Sequence, residues 1–330
     1  MLGGDPDHIT TVGQSFGTSA VLHTINSPLA KGLIVGAIAE SGIKDPYDPE
    51  YLSYGSVHVN YTFLYPFSET YAKSLNASTV ADLRSLSTGA LLEGTGVSTF
   101  GEGFDPVEDG YAIPWSYQTS LDVGPANDVP VLVGNNKDED GVTKHANYTL
   151  AEYKETLDEY YNATWADVFF DLYPANDTVT ASAAYKAQLR DEARVSTWLW
   201  ANGWATSASS PVFTYEWNHA PPGQDQGAYH ASEIYYVLNS LYAVSTTDWE
   251  QDDYEIAEMV SSYWANFIKT GDPNTGDSYK KGNLTYWPKS VSTRNTTFNI
   301  GDDYEEVPLA NATQVEAITA WFHNATTAPE

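Results

Sequence analysis

The sequence predicts an α/β fold, and three features carry that expectation. Short apolar runs of the kind that fill a buried parallel strand recur at Leu33 to Ala39, Val131 to Gly134, Val212 to Trp217 and Phe298 to Ile300. Helical periodicity is clear in Ala183 to Trp204, Asp253 to Phe267 and Gln314 to Phe322, so strands and helices alternate. Near the start, the run Gly13-Gln14-Ser15-Phe16-Gly17 joins a β-rich stretch to a helical one.

The elements follow in order. His8-Ile9-Thr10-Thr11-Val12 is rich in β-branched residues and reads as a strand. The Gly-x-Ser-x-Gly run after it fits a sharp strand-to-helix turn, in which flanking glycines keep bulk away from an exposed Ser15 hydroxyl. With 24 glycines in 330 residues the bare pattern arises by chance in roughly one chain in six, so its neighbours decide. Thr18 to His23 reads as a helix whose first N–H groups, that of Phe16 foremost, would face a developing oxyanion. Residues 45–125 are irregular and rich in Tyr, Pro and Gly. Val131 to Gly134 is an apolar strand, and the loop beyond its carboxyl end carries Asp138, Glu139 and Asp140. Gly271-Asp272-Pro273 stops the helix that ends near Phe267. No repeat or linker divides residues 1–330, which read as one domain with 45–125 inserted into it.

A serine hydroxyl needs a base to take its proton and an acid to orient that base. On α/β folds of this kind the order along the chain is Ser, acid, His. The chain has seven histidines: His8, His23, His58, His145, His219, His230 and His323. His8 and His23 sit too close to Ser15 in sequence and precede every candidate acid. His323 lies just past a terminal amphipathic helix, a surface position. His219 follows the strand ending at Trp217, and His230 lies in a Gly-Ala-Tyr-His loop before the apolar run Ile234 to Leu238. Both stand as candidate bases, with Asp138, Glu139 and Asp140 as candidate acids.

The acidic loop also imitates the first half of a calcium loop from Asn136. Its ninth position is Lys144 and its twelfth Asn147, which rules that chemistry out. Neither a phosphate loop nor a His-Glu-x-x-His run occurs, and there is no cysteine to build a zinc site or a disulfide. No metal or cofactor is implied.

Several stretches together resemble one family. Leu2-Gly3-Gly4-Asp5-Pro6 through Gly17 is similar to the segment around the active serine of type-B carboxylesterases, the family that includes the cholinesterases. Six further stretches follow in the family's order. They are Phe104 to Gly110, Pro130 to Gly134 running into Lys137-Asp138-Glu139, Phe213 to Trp217, His230 to Ile234, Thr270 to Asn274 and Tyr286-Trp287-Pro288. The resemblance covers nearly the whole chain and is closer to fungal secreted esterases than to animal cholinesterases. It implies an α/β-hydrolase fold and a serine ester hydrolase. It places the nucleophile on Ser15, the base on His230 and the acid on Glu139, with Asp140 as an extra residue before Gly141. Ser41 and Glu233 match positions that support the triad, and Phe104 matches an aromatic wall of the acyl pocket. Gln14 departs from the Glu that cholinesterases carry before the serine, which points to neutral esters over choline esters. The resemblance also makes residues 45–125 a helical insertion that roofs the active-site gorge.

The chain carries 15 basic and 44 acidic residues, a net charge of −29, which repels nucleic acid and anionic membranes. No apolar run approaches the ~20 residues of a spanning helix, and residues 1–12 lack the basic start and apolar stretch of a signal peptide. Nine Asn-x-Ser/Thr sequons occur, at Asn60, Asn76, Asn147, Asn162, Asn176, Asn283, Asn295, Asn311 and Asn324. Composition predicts roughly three to four, so the excess points to a secreted glycoprotein.

In the resembled fold the nucleophile follows the fifth strand, whereas this chain opens with that strand. The expectation is therefore a fragment, lacking the first four strands, the Gly-rich oxyanion loop and the secretion leader. The expected partner is a small-molecule ester; the sequence sets no oligomeric state. The competing expectations are a non-catalytic cholinesterase-like binding glycoprotein and an inactive piece of the esterase.

Overall fold

The computed structural model describes residues 4–49, 61–94, 106–144 and 146–325. Strand β1 (Thr10–Gln14) turns at Ser15 into helix α1 (Phe16–Asn26), and β2 (Gly36–Glu40) returns beside β1. Four helices follow: α2 (Tyr61–Ser74), α3 (Val80–Ser85), α4 (Thr88–Gly94) and α5 (Tyr117–Val123). Then come β3 (Val131–Asn136), α6 (Leu150–Leu172), α7 (Thr178–Ser207) and β4 (Val212–Trp217). The chain closes with α8 (Ile234–Val237), α9 (Gln251–Thr270), β5 (Thr296–Ile300), β6 (Glu306–Pro308) and α10 (Ala312–Ala325).

The six strands form one sheet in chain order, β1 to β5 parallel and β6 antiparallel on β5. Parallel neighbours need crossovers, and helices on both faces supply them. Side chains alternate between faces. Ala37, Ala39, Val131, Val133 and Val212 meet α1 through Val21, Leu22 and Ile25, and α7 through Trp200 and Trp204. Ile38, Leu132, Phe213 and Tyr215 point the other way, onto Val260, Tyr263, Trp264 and Phe267 of α9. A third cluster joins α6, α7 and α10 through Tyr153, Phe169, Val195, Ile318 and Trp321. Full burial of each such large side chain contributes about 2–3 kcal/mol relative to exposure. Among the described residues β1 and β6 are the two outer strands, and Ile9, Val12, Leu33 and Val35 near β1 remain exposed.

The helices and strands read from periodicity are present, with ends shifted by a few residues. Within the stretch expected as a helical insertion, the described residues hold four helices, although its sequence shows no clear helical period. Pro66 inside α2 masks its period, and α3 is fixed by a capping box between Thr79 and Asp82 rather than by an apolar stripe. Helix α6 escaped the periodicity because Asn162, at φ 64°, interrupts it.

Candidate active site

The parallel strands β1 to β4 end along one edge of the sheet, and the loops after β1, β3 and β4 meet there. The turn after β1 is held in an unusual backbone state: Ser15 has φ 57° and ψ −123°, a positive φ on a non-glycine residue. Neighbouring groups fix it there. Ser15 N–H donates to Glu40 O at 2.8 Å, and Thr18 Oγ1 donates to the same oxygen at 2.8 Å and to Gly13 O at 3.2 Å. The two glycines of the elbow differ. A Cβ on Gly13 would stand 2.1 Å from Gly17 O, whereas one on Gly17 would meet nothing within 4 Å. Ser15 caps α1, and Phe16 opens that helix with its side chain 67% exposed.

The loops after β3 and β4 are laced together by backbone bonds. Asp138 N–H donates to Ala228 O at 3.0 Å, and Val142 N–H to Gln226 O at 3.0 Å. Asp138 Oδ2 accepts from Ala228 N–H at 3.0 Å, and its Oδ1 accepts from the Arg190 guanidinium. Gly227, at φ 75°, must be glycine, since a Cβ there would lie 2.3 Å from Asp138 Oδ2.

This lacing sets His230 against Glu139. His230 Nδ1 is 2.5 Å from Glu139 Oε2, while Glu139 Oε1 accepts from Asn136 N–H at 2.7 Å. The hydrogen bond to Glu139 raises the imidazole above its ordinary 6.5, against the opposing effect of partial burial. His230 Nε2 stands 3.2 Å from Gln14 Nε2. Among the described residues the Ser15 hydroxyl makes no hydrogen bond to His230, although Ser15 and Gln14 are consecutive. The alternatives lie elsewhere. Asp140 pairs with Lys144 at 3.0 Å on the exposed loop. His219 has both nitrogens on carboxylates, Nδ1 to Asp302 at 2.6 Å and Nε2 to Asp253 at 2.9 Å, leaving neither free as a base.

Beneath the site lies a buried polar layer. Glu233 is 1% exposed and accepts from Asn136 Nδ2 at 2.5 Å; burial and the nearby charge of Glu40 raise its pKa to about 8. Glu40 accepts from Trp264 Nε1 at 2.7 Å, which only partly offsets the burial that pushes it to about 7. Ser41, at φ 55°, is buried, and among the described residues its hydroxyl has no hydrogen-bond partner, nor do Tyr215 OH and one oxygen of Glu233. Phe104 and Asn60 lie outside the described residues, and so does the side chain of Asn324.

The sequence offered Asp138 only as a candidate acid and did not mark Arg190, Asn136 or Glu40 as parts of the site's framework. Arg190 sits 52 positions from Asp138, and only the fold reveals their pairing. Among the described residues no helix is long and apolar enough to cross a membrane.

Comparison with known proteins gives a consistent pattern. A family model described as the carboxylesterase family matches residues 1–321. The para-nitrobenzyl esterase of Bacillus subtilis (strain 168) is 26% identical over 284 residues, covering 83% of this chain and 55% of that protein. An acylcarnitine hydrolase of Rattus norvegicus is 26% identical over 314 residues, covering 87% and 52%. A bile salt-activated lipase of Bos taurus is 27% identical over 324 residues, covering 84% and 50%. The chain spans about half the length of these relatives.

Proposed function

The chain belongs to the carboxylesterase family, and from that premise we propose that it hydrolyses neutral carboxylic esters through Ser15, His230 and Glu139. The observation that carries this reading is the 2.5 Å contact of His230 Nδ1 with Glu139 Oε2, beside the strained turn at Ser15. Glu139 holds the proton on Nδ1, so Nε2 of the neutral ring is the acceptor for the serine proton. Ser15 Oγ attacks the ester carbonyl as Nε2 takes its proton, and the tetrahedral oxyanion draws on the N–H of Phe16 at the head of α1. The imidazolium, stabilised by Glu139, returns the proton to the departing alkoxide. Water, deprotonated by His230, then releases the acid and restores Ser15. Asp138, tied to Arg190 and Ala228, keeps the acid and base loops in register. In this reading the described parts of the insertion, residues 61–94 and 106–125, belong to the cover of the site, and the nine sequons support a secreted glycoprotein.

A non-catalytic binding glycoprotein is the second reading. The lack of a hydrogen bond from Ser15 to His230, whose Nε2 faces Gln14, favours it. A fluorophosphonate probe separates the two in protein expressed from the complete gene. Esterase action predicts one labelled peptide, carrying Ser15, with hydrolysis of a para-nitrophenyl ester lost in step with labelling. An unlabelled, correctly folded protein excludes the first reading.

A further inference from the structure

The asparagines of this chain fall into two populations. Seven sequon asparagines have described side chains: Asn76, Asn147, Asn162, Asn176, Asn283, Asn295 and Asn311; all seven are exposed. Of the ten asparagines outside sequons, only Asn239 is exposed. A surface chosen without regard to the motif would not divide this way.

The side-chain nitrogens divide even more sharply. Five asparagines donate Nδ2 to protein acceptors among the described residues. Asn127 donates to Thr24 O and Ile25 O, Asn135 to Ala193 O, Asn136 to Tyr229 O, Asn266 to Pro273 O and Asn274 to Trp287 O. None of the five belongs to a sequon. Sequon asparagines that make local bonds use the oxygen instead. Asn162 Oδ1 accepts from Thr164 N–H at 3.1 Å, Asn176 Oδ1 from Thr180 Oγ1 at 3.3 Å and Asn311 Oδ1 from Gln314 N–H at 3.0 Å. Among the described residues, the atom that an N-linked sugar would occupy is uncommitted at every one of these sites.

Turn chemistry accounts for part of the exposure. Asn76 and Asn162 hold positive φ, and Asn311 caps α10, roles that asparagine fills on surfaces anyway. Those roles do not explain a hydroxyl residue two positions later in each case. Nor do they apply to Asn147, Asn283 and Asn295, whose side chains make no hydrogen bond among the described residues.

We propose that these seven asparagines carry N-linked oligosaccharide in the mature protein and that the fold is built to accept it at each of them. The proposal rests on the reading of the chain as secreted and deepens it to individual sites. The glycans would leave residues 4–49 bare, the segment that holds β1, the Ser15 turn and β2, because no sequon falls there.

The test has three arms. The complete gene, with its own 5′ end, is expressed in a filamentous fungal host, and the protein is sought in the medium; an intracellular product overturns the secretion reading. The 330-residue chain is expressed behind a supplied leader. Peptides are then deglycosylated enzymatically in heavy-oxygen water, which marks each formerly glycosylated asparagine. The expected result is the mark on all seven. Bare asparagine at most of them overturns the site proposal, whatever the first arm gives. The third arm tests the accommodation. Ile268 is an exposed residue of α9, and Ile268→Thr makes a new sequon at Asn266, which is 2% exposed and donates its nitrogen to Pro273 O. Expected is secreted protein bare at Asn266, with any molecules glycosylated there retained by the host; Ile268→Ala, which adds no sequon, should be handled like the parent. Secretion of the Asn266-glycosylated form at the Ile268→Ala level would overturn the link between free nitrogens and occupancy.

Discussion

Gln14 presents its side-chain amide 3.2 Å from His230 Nε2, the nitrogen opposite the one that faces Glu139. With Nδ1 protonated toward Glu139, Nε2 is an acceptor, and the amide of Gln14 donates to it. Gln14 therefore occupies the place that a serine proton must reach, and a substrate that turns the ring or the amide frees it. Gln14→Glu puts an anion on the same nitrogen and stabilises the imidazolium. A base that holds its proton more tightly works only at higher pH. The acid limb of kcat/KM should therefore move up by about one pH unit, with the choline ester gaining on its neutral analogue. An unshifted limb would mean that Gln14 does not touch the working base.

Glu139→Gln removes the anion that raises His230 and no longer fixes the proton on Nδ1. The expected loss is on the order of 10⁴-fold in kcat, with the residual acid limb moved toward lower pH. Ser15→Ala should cost at least as much, and the double variant no more than the worse single one, because the groups act as a unit. Additive losses in para-nitrophenyl ester turnover would contradict a shared mechanism.

The elbow's two glycines give a contrast that fold stability can read. Gly13→Ala drives a Cβ to 2.1 Å from the backbone of Gly17 and needs the turn to open, at a cost of roughly 1–3 kcal/mol or more. Gly17→Ala meets open space. Urea unfolding should place the first variant well below the parent and the second beside it.

That contrast marks what a single sequence conveys. The strand-turn-helix around Ser15 was legible because local chemistry makes it: β-branched residues, a glycine that backbone approach requires, then helix formers. The central strands were legible because burial on both faces leaves them uniformly apolar, as in Val131 to Val133. Helix α3 was not, since its stability rests on one capping pair. The supports of the site were not legible either. Arg190 meets Asp138, and Trp264 meets Glu40, only because the sheet folds distant segments together. Glu139 and His230, 91 positions apart, reached the same status only through the resemblance to a known family.

The buried acids predict an unusual dependence of stability on pH. Burial raises Glu40 and Glu233 to about 7 and about 8, above the ordinary glutamate value of 4.5. Below pH 4.5 both are protonated, folded or unfolded, and exact no penalty. As pH rises from there toward 8 the unfolded chain releases protons that the folded chain retains, so stability falls. His230, raised by Glu139, adds to the same trend, since its contribution is lost as pH climbs through its folded value. The fall from pH 5 to pH 8 should amount to roughly 3–5 kcal/mol, and Glu233→Gln should remove much of it. Equal urea midpoints at the two pH values would show that both carboxyls are already ionised in the fold.

The edge of the sheet makes the last prediction. Among the described residues β1 pairs only with β2, so one row of its N–H and C=O groups lacks a strand partner. Ile9 and Val12 on or beside β1, and Leu33 and Val35 just before β2, are exposed by 44%, 48%, 60% and 38%. An apolar strand edge of this kind is a template for pairing with another chain, and nothing on it repels a neighbour. The net charge of −29 keeps molecules apart in general but places no charge on β1 itself. The 330-residue chain should therefore self-associate at micromolar concentration, more strongly as salt screens the overall repulsion. Val12→Lys, with Leu33→Lys, sets two like charges on the apolar border. Light scattering should then report a monomer across the same salt range, with the fold intact by circular dichroism. Self-association unchanged by both lysines would place the sticky surface elsewhere, and a parent chain that stays monomeric at high salt would refute the edge as a liability.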